Sequence, residues 1–189
     1  MIVFIHGLFS LLLASTSLVY DHKNNHQLRL PDEVQKALKA YDPHFQPRKY
    51  SDFIPIVRSA YKTNQRDNLF SVIGDFNGDG LQDLVLMGSN KTNDLLVGVL
   101  SKDKAYSVVS IEKSPKTDPK TNWIDVPPGE KQYGLWTFVQ HVGPGKKTSP
   151  YEKEPIELKA DGFSQSFWGK AGVVYYFEKG QFKSFIASD

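Results

Sequence analysis

The chain has 189 residues, 40% hydrophobic and 13% aromatic, and its 23 Lys and Arg nearly balance its 21 Asp and Glu. That composition excludes a disordered chain and supports a packed domain of ordinary size; the basic residues are scattered through loops, whereas a nucleic-acid groove wants a concentrated basic surface. There is no cysteine, which excludes disulfides, thiol chemistry and lipid attachment through sulfur.

Residues 2–13 form an apolar run followed by the small residues Ala14, Ser15, Thr16 and Ser17, the order expected of a secretory signal peptide, although no Lys or Arg precedes it. The run is shorter than the roughly 20 residues that span a bilayer, and no later segment is apolar enough to cross, so no stable membrane span is expected after processing. The organisation expected is a signal peptide over 1–20, a polar linker over 21–30 and one β-rich domain over 31–189 with a helical segment at its start. The location expected is periplasmic or secreted.

Helix is predicted from Pro31. Asp32 and Glu33 complement the positive end of the helix dipole, and Val34, Ala37, Leu38 and Tyr41 recur at helical spacing until Asp42-Pro43 stops the run. A weaker helix is predicted near Ser51, carrying Phe53, Ile54, Ile56 and Val57 and interrupted by Pro55. From Leu69 the period becomes that of strands, over 69–73, 83–87, 95–100 and 106–111, an antiparallel meander. Residues 114–129 read as an extended surface loop anchored by Trp123 and Ile124, 135–142 as a strand, and 143–155 as a second loop. Four short apolar runs close the chain, over 156–159, 163–168, 173–178 and 182–186, separated by Asp161-Gly162, Gly169-Lys170 and Lys179-Gly180, where glycine is expected to supply the positive φ of tight hairpins. The fold class is α+β, mainly antiparallel β, with seven to nine strands in a sheet and helical cover near the amino terminus.

One segment asks for a particular chemical partner. Asp75, Asn77, Asp79 and Asp83 stand at positions one, three, five and nine of a short loop, with the main-chain oxygen of Leu81 at position seven and Gly80 at the sharp turn. Oxygens at alternate positions of a curling loop point at one centre, and calcium accepts such a cage of about six to eight oxygens in flexible geometry. An EF-hand would need a bidentate Glu where Leu86 stands and helices where the flanks read as strands. Asp75, Asn77, Asp79, Leu81 and Asp83 are therefore the expected calcium ligands.

The segment Gly74-Asp75-Phe76-Asn77-Gly78-Asp79-Gly80-Leu81-Gln82-Asp83-Leu84 resembles the strand-loop-strand calcium sites of FG-GAP and VCBS-type repeats, found in integrin-like propellers and in many secreted bacterial proteins. That resemblance implies side-chain ligands at Asp75, Asn77, Asp79 and Asp83 and a main-chain ligand at Leu81. A propeller needs about four or more blades and this chain has one copy, without the Phe-Gly and Gly-Ala-Pro signatures, so a full propeller is not expected. The tail from Gly172 to Phe185 also resembles the ending of small exported proteins of Gram-negative bacteria that carry one such loop.

No nucleophile elbow, phosphate-binding glycine loop or zinc motif is present. His22 and His26 read as stray histidines in a polar leader, and Glu152, Glu154 and Glu157 as a solvated face of alternating charge. The aromatics of the last third, Phe163, Phe167, Trp168, Tyr175, Tyr176, Phe177, Phe182 and Phe185, read as core and cross-strand pairs, although exposed aromatics on a sheet also stack on sugar rings. The expected function is an exported, non-enzymatic calcium-binding domain that recognises another protein or a glycan. The alternative is an envelope hydrolase or an enzyme-inhibitor protein whose site is assembled from distant parts of the chain.

Overall fold

The computed structural model describes residues 18–21, 27–62, 65–102, 105–170 and 172–188. The leader expected over 1–20 lies outside these residues except at its end, where β1 (Val19–Asp21) pairs antiparallel with β2 (Gln27–Arg29). Helix α1 (Asp32–Tyr41) follows, with Asp32 and Glu33 in its first turn and one face burying Val34 and Leu38. It stops where Asp42 turns extended and donates its N–H to the Leu38 carbonyl. After β3 (Gln46–Pro47) comes a single 3₁₀ turn, Tyr50–Asp52, and then α2 (Pro55–Ala60). Pro55 was expected to interrupt this helix; it begins it, because the first helical residue needs no N–H partner and proline's fixed φ already suits the turn.

Strands β4 (Asp67–Asn68), β5 (Ser71–Gly74), β6 (Asp83–Ser89), β7 (Asn93–Lys102) and β8 (Ala105–Pro115) lie side by side in chain order, the expected meander, and β3 adds to β6. Residues 114–129 are not wholly loop. They contain β9 (Trp123–Val126), which pairs with β10 (Glu130–Tyr133) around Pro127, Pro128 and Gly129. Alternation explains it: Ile124 and Val126 turn inward, while Trp123 and Tyr133, paired across the hairpin, stay exposed. The expected anchor is thus Ile124 without Trp123.

The last third is β11 (Thr137–Val142), β12 (Gly145–Lys147), β13 (Ile156–Leu158), β14 (Gly162–Phe167), β15 (Gly172–Glu178) and β16 (Gln181–Ser188). β11, β14, β15 and β16 make a second, four-stranded antiparallel sheet, and β12 pairs with β13. The strands therefore divide among several sheets, none closed into a barrel or propeller, where a single sheet of seven to nine was expected. Apolar residues on both faces of the meander require it. On β7, Leu95, Val97 and Val99 join the core built with Val34, Leu38, Ile54 and Val57 of the helical segment, while Leu96 and Leu100 join a second core with Val139, Phe163 and Tyr175. A sheet apolar on both faces needs a layer on each, and the four-stranded sheet is the second. Gly98 lies on that second face, where an added Cβ would stand 2.7 Å from the Phe182 ring.

Strand β15 is internal and covered on both faces, as its bulk predicts. Tyr175 faces the meander, and Val174 meets Phe185 and Leu158 beneath the β12–β13 pair. At the β15–β16 turn Lys179 and Gly180 both have positive φ, 52° and 85°. Gly162 does not use positive φ. It is required by close approach, since a Cβ there would lie 2.6 Å from the Tyr175 carbonyl oxygen.

Candidate metal centre

The acidic loop is closed by the last pair of the β5–β6 ladder, Gly74 opposite Asp83. Strands flank it on both sides, as the sequence reading required. Inside, the Asp75 carboxylate is the hub: Oδ1 accepts the N–H groups of Gly78 (2.8 Å) and Asp79 (3.1 Å), and Oδ2 that of Gly80 (2.8 Å). Gly78 and Gly80 adopt φ of 76° and 81°, which wraps successive N–H groups inward around that carboxylate. Asn77 Oδ1 accepts from the Asp79 N–H, Asn77 Nδ2 donates to Asp79 Oδ2 at 3.0 Å, and Asp79 Oδ1 accepts from the Leu81 N–H. Asp79 and Leu81 are exposed; Asp75 and Asn77 are half-buried.

Asp83 behaves differently. It is fully buried, and each oxygen accepts two hydrogen bonds: Oδ1 from Ser101 N–H (2.7 Å) and Oγ (2.8 Å), Oδ2 from the N–H groups of Phe76 (3.0 Å) and Asn77 (3.4 Å). Burial pushes its carboxyl above the ordinary carboxylate range, opposed by these hydrogen bonds. Asp83 therefore ties the two ends of the loop to each other and to β7. The structure brings the Asn77 and Asp79 side chains into direct contact and joins Asp75 and Asp83 to them through backbone N–H groups. Among the described residues, no group of three or more His, Cys, Asp or Glu side chains is placed to hold a metal ion. The donor chemistry is all oxygen, as a hard cation requires, and unused acceptor capacity remains on Asp75, Asn77 and Asp79.

Three positioning groups escaped the sequence reading. Phe76 is fully buried and meets Phe163 and Phe182 edge-on at 6.0 and 6.1 Å, fastening the loop to the second core. Burying such a ring is worth about 2–3 kcal/mol. Asp161, in the β13–β14 turn, accepts the Asp75 N–H on Oδ2 (3.0 Å), and its own N–H donates to the Asp75 carbonyl. Its carboxylate also meets His141 Nε2 at 2.9 Å and Arg66 at 3.3 Å. Ser101 is the third. An apolar ring amid carboxylates was a readable signal for Phe76; contacts across 18 and 86 positions left none for Ser101 and Asp161.

A second concavity lies where the meander meets β11 and β14. This cleft of about 390 Å³ is walled by Arg48 and Asp94 at its polar end, by Glu112, Ser114 and Gln165, and by the Trp136 and Phe167 rings. The Arg48 guanidinium, only 6% exposed, is bonded to Asp94 and to the Thr117 carbonyl, and the second Asp94 oxygen accepts the Thr117 N–H. Glu112 accepts from the Tyr175 hydroxyl.

Fold and loop together define the class, a mainly antiparallel β protein with one strand-flanked acidic loop. Comparison with protein-family models, with curated proteins and with solved structures finds no match for this chain.

Proposed function

We propose that this chain is an exported, non-enzymatic binding module whose acidic loop takes a structural calcium ion. The observation that carries the calcium reading is the Asp75–Asn77–Asp79 constellation: three oxygen-bearing side chains on a loop pinned to both sheets, Asn77 bonded to the Asp79 side chain and Asp75 and Asn77 both accepting the Asp79 N–H, each retaining acceptor capacity. Their side chains and the Leu81 main-chain oxygen would hold the ion. Asp83 is the carboxylate that the ion must share with the fold. Bound there, calcium supplies charge balance for the loop and rigidity for the β5–β6 junction. Export is supported by the apolar run over 2–13 and the small residues Ala14, Ser15, Thr16 and Ser17 that follow it. The binding reading is supported over hydrolysis by the cleft, whose charged groups Arg48, Asp94 and Glu112 are each engaged by a partner within the fold.

Calorimetric titration of chelator-treated protein with calcium tests the ion. Binding at millimolar or tighter affinity is expected, with a thermal midpoint several degrees higher in excess calcium, about what ligand linkage gives at saturation. In Asp79→Ala the midpoint should no longer respond to calcium. Wild-type protein that takes up no heat at millimolar calcium removes the proposal.

A further inference from the structure

The cleft between the two sheets has a composition that selects a ligand class. Its size falls among small-molecule pockets, which are about 300–1,000 Å³. Its charged groups are each engaged within the fold. Arg48 is neutralised by Asp94, and the remaining carboxylate, Glu112, accepts from the Tyr175 hydroxyl. Lys170 stands outside the lining, 5.2 Å from the centre of the Trp136 ring. An anion entering the cleft meets two carboxylates; a cation meets Arg48. Neither sign finds a counter-charge that the fold leaves unengaged.

What the cleft offers instead is an aromatic wall beside groups that bond hydroxyls. Trp136 and Phe167 meet edge-on at 5.9 Å and both line it. The face of an indole is electron-rich and attracts weakly positive C–H groups, which a sugar ring presents on its flat side. Around that wall stand an exposed carboxylate (Glu112), an exposed hydroxyl (Ser114) and a primary amide on a buried side chain (Gln165, 8% exposed). The carboxylate accepts, the hydroxyl does both, and the amide, whose Oε1 already accepts from the Tyr175 hydroxyl at 3.1 Å, offers two donors. Sugar hydroxyls, donors and acceptors at once, match that alternation.

We propose that this cleft binds a neutral saccharide, with Trp136 as the stacking platform and Glu112 and Gln165 as the hydroxyl-reading groups. The inference rests on the reading of the chain as a binding module and does not depend on the calcium ion.

The test uses the full mature chain in calcium, titrated calorimetrically and by following the tryptophan indole N–H resonances. The probes are cellohexaose, xylohexaose, maltohexaose and chitohexaose, with hexamers of galacturonic acid and glucosamine as charged controls. At least one neutral oligomer should bind and shift the Trp136 resonance. Trp136→Ala should weaken that binding about tenfold or more, while Trp123→Ala, on the exposed β9–β10 hairpin, leaves it unchanged. If Trp136→Ala does not fold, Glu112→Gln decides, since it keeps an acceptor for Tyr175 and should weaken binding several-fold. The proposal is overturned if no neutral oligomer shifts Trp136, if binding survives in folded Trp136→Ala, or if a charged oligomer binds in preference. Cleavage of a bound oligomer would uphold the saccharide site and remove the non-enzymatic reading.

Discussion

Asp83 shows how one residue type serves two purposes within nine positions. Asp75 and Asp79 keep their carboxylates on the loop, whereas Asp83 buries its own and saturates it with four hydrogen bonds. Removing that carboxylate leaves buried N–H groups of Phe76 and Ser101 without an acceptor, and each such group costs about 1–3 kcal/mol. In calcium-free buffer Asp83→Ala should therefore lower unfolding stability by about 3 kcal/mol or more, while the exposed Asp79→Ala stays within about 0.5 kcal/mol. Urea unfolding in the presence of chelator measures both, and comparable losses in the two variants would contradict the division of roles. The spacing of the four side chains was legible in the sequence. That Asp83 points inward was not, because its partner Ser101 lies on the next strand.

Among the elements, the glycines separate turns from contacts. Lys179-Gly180 was legible as a hairpin turn and has the positive φ expected of it. Gly162 looked the same in sequence, yet it faces the Tyr175 backbone across the β14–β15 pair. Gly162→Ala should cost about 1–3 kcal/mol by overpacking against an atom that cannot rotate away, measured as a shift in the denaturation midpoint. Gly180→Ala meets no atom within 4 Å and should cost only the left-handed backbone penalty, about 1 kcal/mol. The Asp161 turn adds a link between elements. Asp161→Ala removes the acceptor for the Asp75 N–H and the partner of His141 and Arg66, so it should weaken calcium binding as well as stability, both read from the same titration and melt.

At the scale of the whole molecule, the layers are held by Phe76, Phe163, Tyr175 and Phe182 in the second core. Phe163 and Tyr175 are cross-strand partners whose rings stack at 4.8 Å. The Tyr175 hydroxyl is held far above the usual tyrosine range, first by burial and then by its hydrogen bond to the Glu112 carboxylate. The folded state thus keeps a proton that the unfolded chain gives up near about pH 10, so this contribution is complete below that pH and declines as pH rises beyond it. Stability should fall between about pH 9 and pH 11, and Tyr175→Phe should flatten that fall. Urea midpoints across this range check it; an equal slope in the two proteins contradicts the assignment. Among the described residues no helix is long and apolar enough to cross a membrane.

Local pattern made most of the longer elements legible, but not the short pairs β1–β2 and β9–β10 or strand β12, which falls in the loop expected over 143–155. Period and composition placed α1, the meander, the other strands of the last third and the spacing of Asp75, Asn77, Asp79, Leu81 and Asp83, because those depend on neighbours within one turn or one strand. The hairpin at Trp123 was hidden by its proline-rich flanks. Tertiary structure alone decided that the strands separate into stacked sheets, since burial of two apolar faces is a property of layers and not of any strand. It also decided that Asp161 and Ser101 hold the acidic loop, and that Arg48, Glu112, Trp136 and Gln165 line one cleft. Those residues are brought together by chain folding over tens of positions, a distance at which no local pattern survives.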